Sequence, residues 1–414
     1  MFAPHSWIGP PAEGDRRPAP TGAERGEAER CVRGFASTEE RSRIVAWLEA
    51  GLRPGRPGRL EREYPACFAP TSSARPITAW LGTEPAAFCL LLPTRFALGA
   101  GCLRTGLISL VYTDPRFRGR GLARRVVAQA RAEARAAGLG LCLLWSEPTL
   151  ADFYAAQGFT RAGSETLLAF DAAILAAASE GARPETQASA TALEVGCARF
   201  SDWPAIRSLR AARTCHAALP GEAADWLGIP DLEIRVARRG AALVGFAMRG
   251  RGDDFPGVVH EWGGETDAVL RCCAALLPEQ DDAGLLLLSP RETSSLTWRL
   301  RQAGARLVRG PLAWMQIADE AAFAADLASI VPELAAISLT ERAPGAAGPA
   351  RLRIANTRTG CALEVEPSDW LARVFGPDET AAPPRPCPAL TSLLPSAAAA
   401  QLPLPFFVWG LESI

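Results

Sequence analysis

The sequence predicts an α/β protein with mixed (α+β) sheets: one complete sheet-and-helix unit, a second unit of the same topology, and a short C-terminal α/β segment. Three observations carry this reading. An apolar strand at Leu107–Tyr112 runs through a glycine-containing turn into the clearest amphipathic helix of the chain, Leu122–Ala137. Strand-like and helix-like patterns alternate on both sides of it. After an Ala/Ser/Glu/Pro-rich stretch from about 172 to 192, the same order of elements begins again with almost no residue identity.

The elements follow in order. Residues 1–29 are rich in Pro, Gly, Glu and Arg without hydrophobic period and read as a disordered extension. A short strand, Cys31–Phe35, leads to a helix whose Ile44, Trp47 and Leu48 recur at three- and four-residue steps. Strands Ile77–Leu81 and Ala87–Leu92 form a hairpin-like pair ahead of Leu107–Tyr112 and the loop Thr113–Gly121. In the helix that follows, Leu122, Val126, Val127, Ala130, Ala134 and Ala137 make the apolar stripe, and Gly138 ends it. The almost wholly apolar strand Leu139–Trp145 reads as central in a sheet. Helix Leu150–Gln157 and strand Leu167–Phe170 complete a first unit of residues 30–175.

The second unit, 190–320, holds helix Trp203–Ala212, strands Glu233–Ala237, Ala242–Met248 and Val258–Trp262, and helix Asp267–Leu277. Strand Leu285–Ser289, helix Leu296–Ala303 and strand Leu312–Ile317 close it. The segment 321–414 adds strands Leu352–Asn356 and Cys361–Val365, a Pro-rich loop near 382–388, and the apolar terminus Leu402–Ile414.

Composition narrows the function. The chain has 414 residues, and at roughly 100–200 residues per domain that suits two or three domains. A net charge of -1 argues against a general nucleic-acid or membrane-surface binder, since either needs a broad basic face. All 44 basic residues are Arg, which excludes lysine Schiff bases and acetylation of the chain's own lysines. Eleven cysteines without a Cys-x-x-Cys pair read as packing thiols, Cys89, Cys102 and Cys142 inside apolar runs and Cys272-Cys273 in a helix. With no apolar h-region or bilayer-length run, a reducing cytoplasm is expected. Three scattered histidines offer no metal-ligand spacing, so no metal is expected.

Strand, glycine-rich turn, then helix is the arrangement that makes an anion site. Free N–H groups at the helix start point outward, and the helix dipole adds partial positive charge. Gly119 and Gly121 let backbone approach a pyrophosphate, and Arg118, Arg120, Arg124 and Arg125 add charge. The third glycine of a dinucleotide-binding fingerprint is missing, and no Gly-Lys-Ser/Thr run exists for a P-loop. The pattern Leu110-Val111-Tyr112-Thr113-Asp114-Pro115-Arg116-Phe117-Arg118-Gly119-Arg120-Gly121-Leu122-Ala123 closely resembles the core motif of the GNAT superfamily of N-acetyltransferases, Arg/Gln-x-x-Gly-x-Gly/Ala. Arg118, Gly121 and Ala123 stand in the matching places. A second segment, Phe153-Tyr154-Ala155-Ala156-Gln157-Gly158-Phe159, resembles that family's Tyr-x-x-x-Gly-Phe.

The resemblance implies acetyl-CoA as co-substrate, held by Val111, Tyr112 and Thr113 and by the run Arg118–Arg124. It also implies a direct attack by a small-molecule or protein amine. Tyr154 would protonate the leaving thiolate; the alternative is a packing role. Glu147 replaces the family's usual Asn and reads either as a general base or acceptor ligand or as a solvated strand end. The second unit has Val258-Val259-His260-Glu261-Trp262-Gly263-Gly264 where the phosphate loop would be, and reads as a degenerate GNAT-like domain that does not bind CoA. There His260 and Glu261 either receive the acceptor amine or make a satisfied polar turn. Tandem GNAT units with a C-terminal α/β segment are similar to the enhanced-intracellular-survival type of aminoglycoside acetyltransferases. That similarity implies a sterol-carrier-like third part and makes the terminal carboxylate of Ile414 a candidate base, with edge packing of Phe406, Phe407 and Trp409 as the alternative. Two further functions stay open at this point: a catalytically silent scaffold, and an enzyme using a longer acyl or aminoacyl donor.

Overall fold

The computed structural model describes residues 29–69, 72–180, 192–219, 222–278, 284–291, 293–342, 351–380 and 387–413. The N-terminal extension, most of the Pro-rich loop, and Ile414 lie outside the described residues. In the first unit β1 (Glu29–Arg33) leads to α1 (Thr38–Leu52), capped by Ser37 Oγ, which accepts from the Glu40 N–H. Two one-turn helices follow, α2 (Leu60–Glu63) and α3 (Pro65–Phe68), too short to show a period in sequence. After β2 (Arg75–Leu81) come β3 (Glu84–Leu98) and β4 (Gly101–Thr113), a hairpin longer than the apolar pattern indicates. Pro93, Thr94 and Arg95 interrupt the apolar run, yet the strand continues through them to Phe96 and Leu98, which are buried again. Next are α4 (Leu122–Ala136), β5 (Leu141–Leu144), α5 (Ala151–Ala155), β6 (Thr160–Ala162), β7 (Glu165–Phe170) and α6 (Ala172–Glu180).

The second unit repeats the order. It comprises β8 (Leu193–Cys197), α7 (Trp203–Ala211), β9 (Cys215–Ala217), α8 (Ala223–Leu227), β10 (Glu233–Arg239), β11 (Ala242–Arg249), β12 (Val258–Gly264) and α9 (Thr266–Ala274). Then follow β13 (Leu285–Pro290), α10 (Ser295–Gln302), β14 (Arg306–Gly310) and β15 (Ala313–Ile317).

The two sheets exchange their last strands. The first runs β1-β2-β3-β4-β5-β15-β6, with β9 on the far end of β3; the second runs β14-β7-β13-β12-β11-β10-β8. The sequence pattern predicts Leu167–Phe170 in the first unit and Leu312–Ile317 in the second. Instead β7 pairs with β13 and β14, while β15 pairs with β5 and β6. Strand periodicity reports a buried face and says nothing of which sheet supplies the neighbours. The two chains cross at Gly163-Ser164 and Pro311-Leu312, where Leu312 N–H donates to Gly163 O. A Cβ at Gly163 would lie 2.9 Å from Leu312 Cβ, so only glycine permits the crossing.

The third segment is α11 (Glu320–Ile330), the meander β16 (Ile337–Arg342), β17 (Arg351–Asn356) and β18 (Ala362–Val365), then α12 (Pro367–Phe375), α13 (Pro388–Leu393) and α14 (Ser396–Gln401). Helix α11 packs on β4, where Asp326 accepts from the Arg104 N–H and Nε–H. The final stretch threads between the units. Phe406, Phe407, Val408, Trp409 and Leu411 are buried in a core cluster that joins all three parts. Each such side chain contributes roughly 1.5–3 kcal/mol of burial.

Candidate active site

The site begins with a fault in β4. Register against β3 slips between the pairs Leu90↔Ser109 and Phe88↔Tyr112, and Leu110 takes φ +52 within the slip. A branched residue in the left-handed region costs roughly 1–3 kcal/mol and persists only where its surroundings enforce it. On the other side, β4 pairs with β5 in parallel only at Thr105↔Leu141, Gly106↔Cys142 and Leu107↔Leu143. Beyond Leu107 the strands part, leaving the β5-facing backbone of Ile108–Thr113 without a ladder. Val111, Tyr112 and Thr113 all lie in this half-buried stretch, and the Thr113 hydroxyl is buried without a partner. The Tyr112 ring meets Trp47 edge-on at 5.0 Å.

The strand delivers the chain to the turn. Gly119 and Gly121 adopt φ +80 and +77, and a Cβ at either would meet nothing within 4 Å. Gly121 is the N-cap of α4 and has no side chain to occupy the first-turn donors, so the N–H groups of Leu122, Ala123 and Arg124 have no intrahelical acceptor. No acidic residue stands in that first turn, while Arg118, Arg120, Arg124 and Arg125 are exposed around it. Open backbone, a helix N-terminus and surrounding cations fit a pyrophosphate.

Asp114 fastens this turn. Its carboxylate accepts from Trp47 Nε1 at 3.1 Å, from the Arg116 N–H at 2.9 Å, and from the Arg116 guanidinium. The Asp-Pro pair at 114–115 was the available signal, since Asp is favoured where a turn starts. Hydrogen bonds from Arg116 hold the carboxyl at about 2, below its ordinary 3.8. A depressed folded-state value means the staple is fully present above about pH 4 and is lost only as pH falls through about 2. Asp114→Ala is expected to cost roughly 1–3 kcal/mol and to raise KM for acetyl-CoA with a smaller change in kcat. Thermal melting and steady-state kinetics check this, and Asp114 should contribute no pH dependence to acetyl-CoA affinity between about pH 5 and 9.

Tyr154 sits on α5, 4% exposed, with Phe153 and Phe159 edge-on at 4.9 and 6.0 Å. Its third wall is Trp314 at 6.3 Å, which belongs to the exchanged strand β15 and so comes from the other half of the chain. Burial raises the phenol above its ordinary value, so it stays protonated through neutral pH. Glu147 is half-buried between β5 and α5, where Thr149 Oγ1 donates to it at 3.3 Å.

Glu261 lies elsewhere, on β12 of the second unit, and is fully buried. Arg213 contacts it at 2.7 Å and Arg210 at 3.2 Å, and its other oxygen accepts from the Leu411 N–H at 3.1 Å. Burial would push this carboxyl up, but the two guanidiniums outweigh it and hold the group ionised. Arg210 also donates to Glu412 at 2.8 Å, and Glu412 accepts from the Ala217 and Trp409 N–H groups. His260 is buried with Nε2 2.9 Å from Gly250 O. These residues clamp the C-terminal stretch. Arg251 completes the clamp by donating to Ser413 O at 2.6 Å.

The second unit also lacks the turn itself. Eight residues separate β4 from α4, but only Glu265 separates β12 from α9, and Asp267 occupies that helix's first turn. No described helix is long and apolar enough to cross a membrane, and no group of His, Cys, Asp and Glu among the described residues could hold a metal.

Residues 38–161 match the model of the acetyltransferase (GNAT) family. No curated protein sequence matches the chain. Among solved structures, a probable N-acyltransferase of unknown function from Enterococcus faecalis is similar at 10% identity and TM-score 0.54, covering 82% of this chain and 85% of that one. A GCN5-related N-acetyltransferase from Anabaena variabilis gives 16%, 0.54, 81% and 85%, and Eis1 from Mycobacterium abscessus gives 14%, 0.50, 82% and 85%. Likeness at such identities concerns the fold, and it extends across both units. The chain thus carries an acyltransferase domain: residues 38–161 of its first unit match the acetyltransferase (GNAT) family, within a fold that both units share with solved N-acyltransferase structures.

Proposed function

We propose that the chain is an acetyl-CoA-dependent N-acetyltransferase with one donor site, in the first unit, acting by direct transfer to an amine. The observation that carries the proposal is the open Gly119/Gly121 turn at the start of α4, next to a bulged β4 that parts from β5. Arg118–Arg124 would hold the pyrophosphate, and the exposed backbone of Val111–Thr113 would hold the pantetheine arm. Acetyl-CoA supplies an activated thioester. Charge developing on its carbonyl oxygen would be met by backbone N–H groups at the bulge, whose orientation the strain at Leu110 fixes in advance.

Tyr154 is the proton donor to the leaving thiolate in this reading. Its burial keeps the phenol neutral, which is the form a general acid needs. Glu147, at the end of β5 and seven residues before Tyr154, is the carboxylate we assign to the amine's proton. Glu261 is assigned to anchoring the tail, because its oxygens are committed to Arg210, Arg213 and Leu411. A cysteine-bound acyl intermediate is disfavoured, since burial pushes the Cys142 thiol up to about 12 and the Cys89 thiol up as well.

Calorimetric titration with acetyl-CoA, followed by thiol release with a panel of amines, tests the reading. One site per chain and release with at least one amine are expected; a folded protein that binds no acetyl-CoA would overturn it. Tyr154→Phe is expected to lower kcat roughly a hundredfold with acetyl-CoA affinity unchanged. An effect under threefold would assign Tyr154 to packing.

A further inference from the structure

The second unit keeps the parted strands while lacking the phosphate turn. β12 and β13 pair only at Val258↔Leu286 and Val259↔Leu287, and then diverge. Where they diverge lies a cavity of about 420 Å³, a size suited to a small organic ligand. Coenzyme A is a poor occupant, because α9 starts one residue after β12 and begins among Glu265 and Asp267. The cavity therefore calls for a different molecule.

Its walls describe that molecule. Trp262, Phe407 and Trp409 supply flat apolar surface, the latter two from the clamped C-terminal stretch. Two polar side chains on the lining carry unpartnered N–H or O–H groups. Ser289 is 0% exposed and its hydroxyl has no partner. Arg213, whose side chain is 8% exposed, lies over the Trp409 ring at 3.6 Å, with its Nε–H unpartnered. The cavity also reaches Thr293 and Ser294 at the start of α10, where Ser294 Oγ takes the Thr297 N–H and the N–H groups of Ser295 and Leu296 keep no intrahelical acceptor. Among the described lining residues there is one cation, Arg213, whose Nη1 is paired with Glu261 and whose Nη2 donates to Trp262 O, and no carboxylate. A buried hydroxyl and guanidinium N–H left unpaired in an apolar pocket are costly unless a ligand accepts from them.

We infer that this cavity is a second ligand site, specific for a small monocarboxylate with an aromatic or otherwise flat apolar body. The body lies among Trp262, Phe407 and Trp409, and the carboxylate accepts from Ser289 Oγ, Arg213 Nε and the start of α10. The site is independent of the donor site, and its walls include the tail that is held against both units.

The test is calorimetry on the full chain with excess coenzyme A present to fill the donor site. The probes are 1-naphthylacetate, 1-naphthylacetamide and 1-naphthylethylamine. One site per chain for the acetate is expected, with the amide at least tenfold weaker and the amine without measurable heat. Ser289→Ala should weaken the acetate about fivefold with little change in melting temperature, because the hydroxyl bonds nothing in the free protein. Thr293→Trp, at an exposed position on the rim, should abolish acetate binding and leave acetyl-CoA affinity unchanged. Equal affinities for acetate and amide, full affinity in folded Thr293→Trp, or no heat from any probe would each overturn the inference.

Discussion

Gly121→Glu should lower acetyl-CoA affinity at least a hundredfold, equivalent to about 2.7 kcal/mol, in a protein that still folds. Two effects act together. Gly121 holds φ +77, where a residue with a Cβ is strained by roughly 1–2 kcal/mol. The larger effect is electrostatic competition: a carboxylate at the N-cap of α4 would accept from the donors of Leu122–Arg124 that the pyrophosphate needs. The same carboxylate favours the helix, so the loss should appear in binding and hardly in stability. Gly121→Asn separates the two effects, since Asn tolerates the left-handed region and carries no charge; its loss should be several-fold only. Calorimetry with circular dichroism on both variants is the measurement. Unchanged affinity in folded Gly121→Glu would place the phosphates elsewhere.

The proposed donor site was legible in sequence because its parts are local. A strand, two glycines and an amphipathic helix occupy one continuous stretch, and the requirement for positive φ names glycine directly at 119 and 121. Asp114 was legible in principle, as an Asp-Pro turn starter, but its value depends on Trp47, which is distant in sequence. Leu110 carried no signal, because a bulge is created by register and any apolar residue preserves the pattern. The placement of Glu261 was beyond reach for a related reason. His260-Glu261-Trp262 reads as a polar strand end, whereas the structure covers it with Arg210, Arg213 and a tail that returns 150 residues later, from Glu261 to Leu411. The strand exchange was invisible as well. β7 and β15 are both mostly buried strands with neighbours on each side, and both sheets offer the same kind of slot.

That exchange gives the second expected large effect: residues 29–180 alone will not make a working acetyltransferase, although they include the whole family match and both motifs. In the intact chain β15 lies between β5 and β6, with Ala313, Trp314, Met315, Gln316 and Ile317 all buried. Without it β5 retains only the three-residue parallel ladder to β4, and β6 loses its place in the sheet. Tyr154 loses Trp314, the ring that closes its pocket, and β4 loses the Arg104–Asp326 pair from α11. The fragment also keeps β7, whose Leu167–Phe170 face is made for the other sheet and would be an exposed apolar edge. The fragment is expected to aggregate or melt without cooperativity and to bind no acetyl-CoA. Co-expression with a second fragment, residues 192–414, should restore a complex that binds acetyl-CoA, because the exchange needs both strands and no peptide bond between the halves. A soluble 29–180 fragment with a cooperative melt and full-length affinity would mean that β15 is dispensable and that β7 can return to the first sheet.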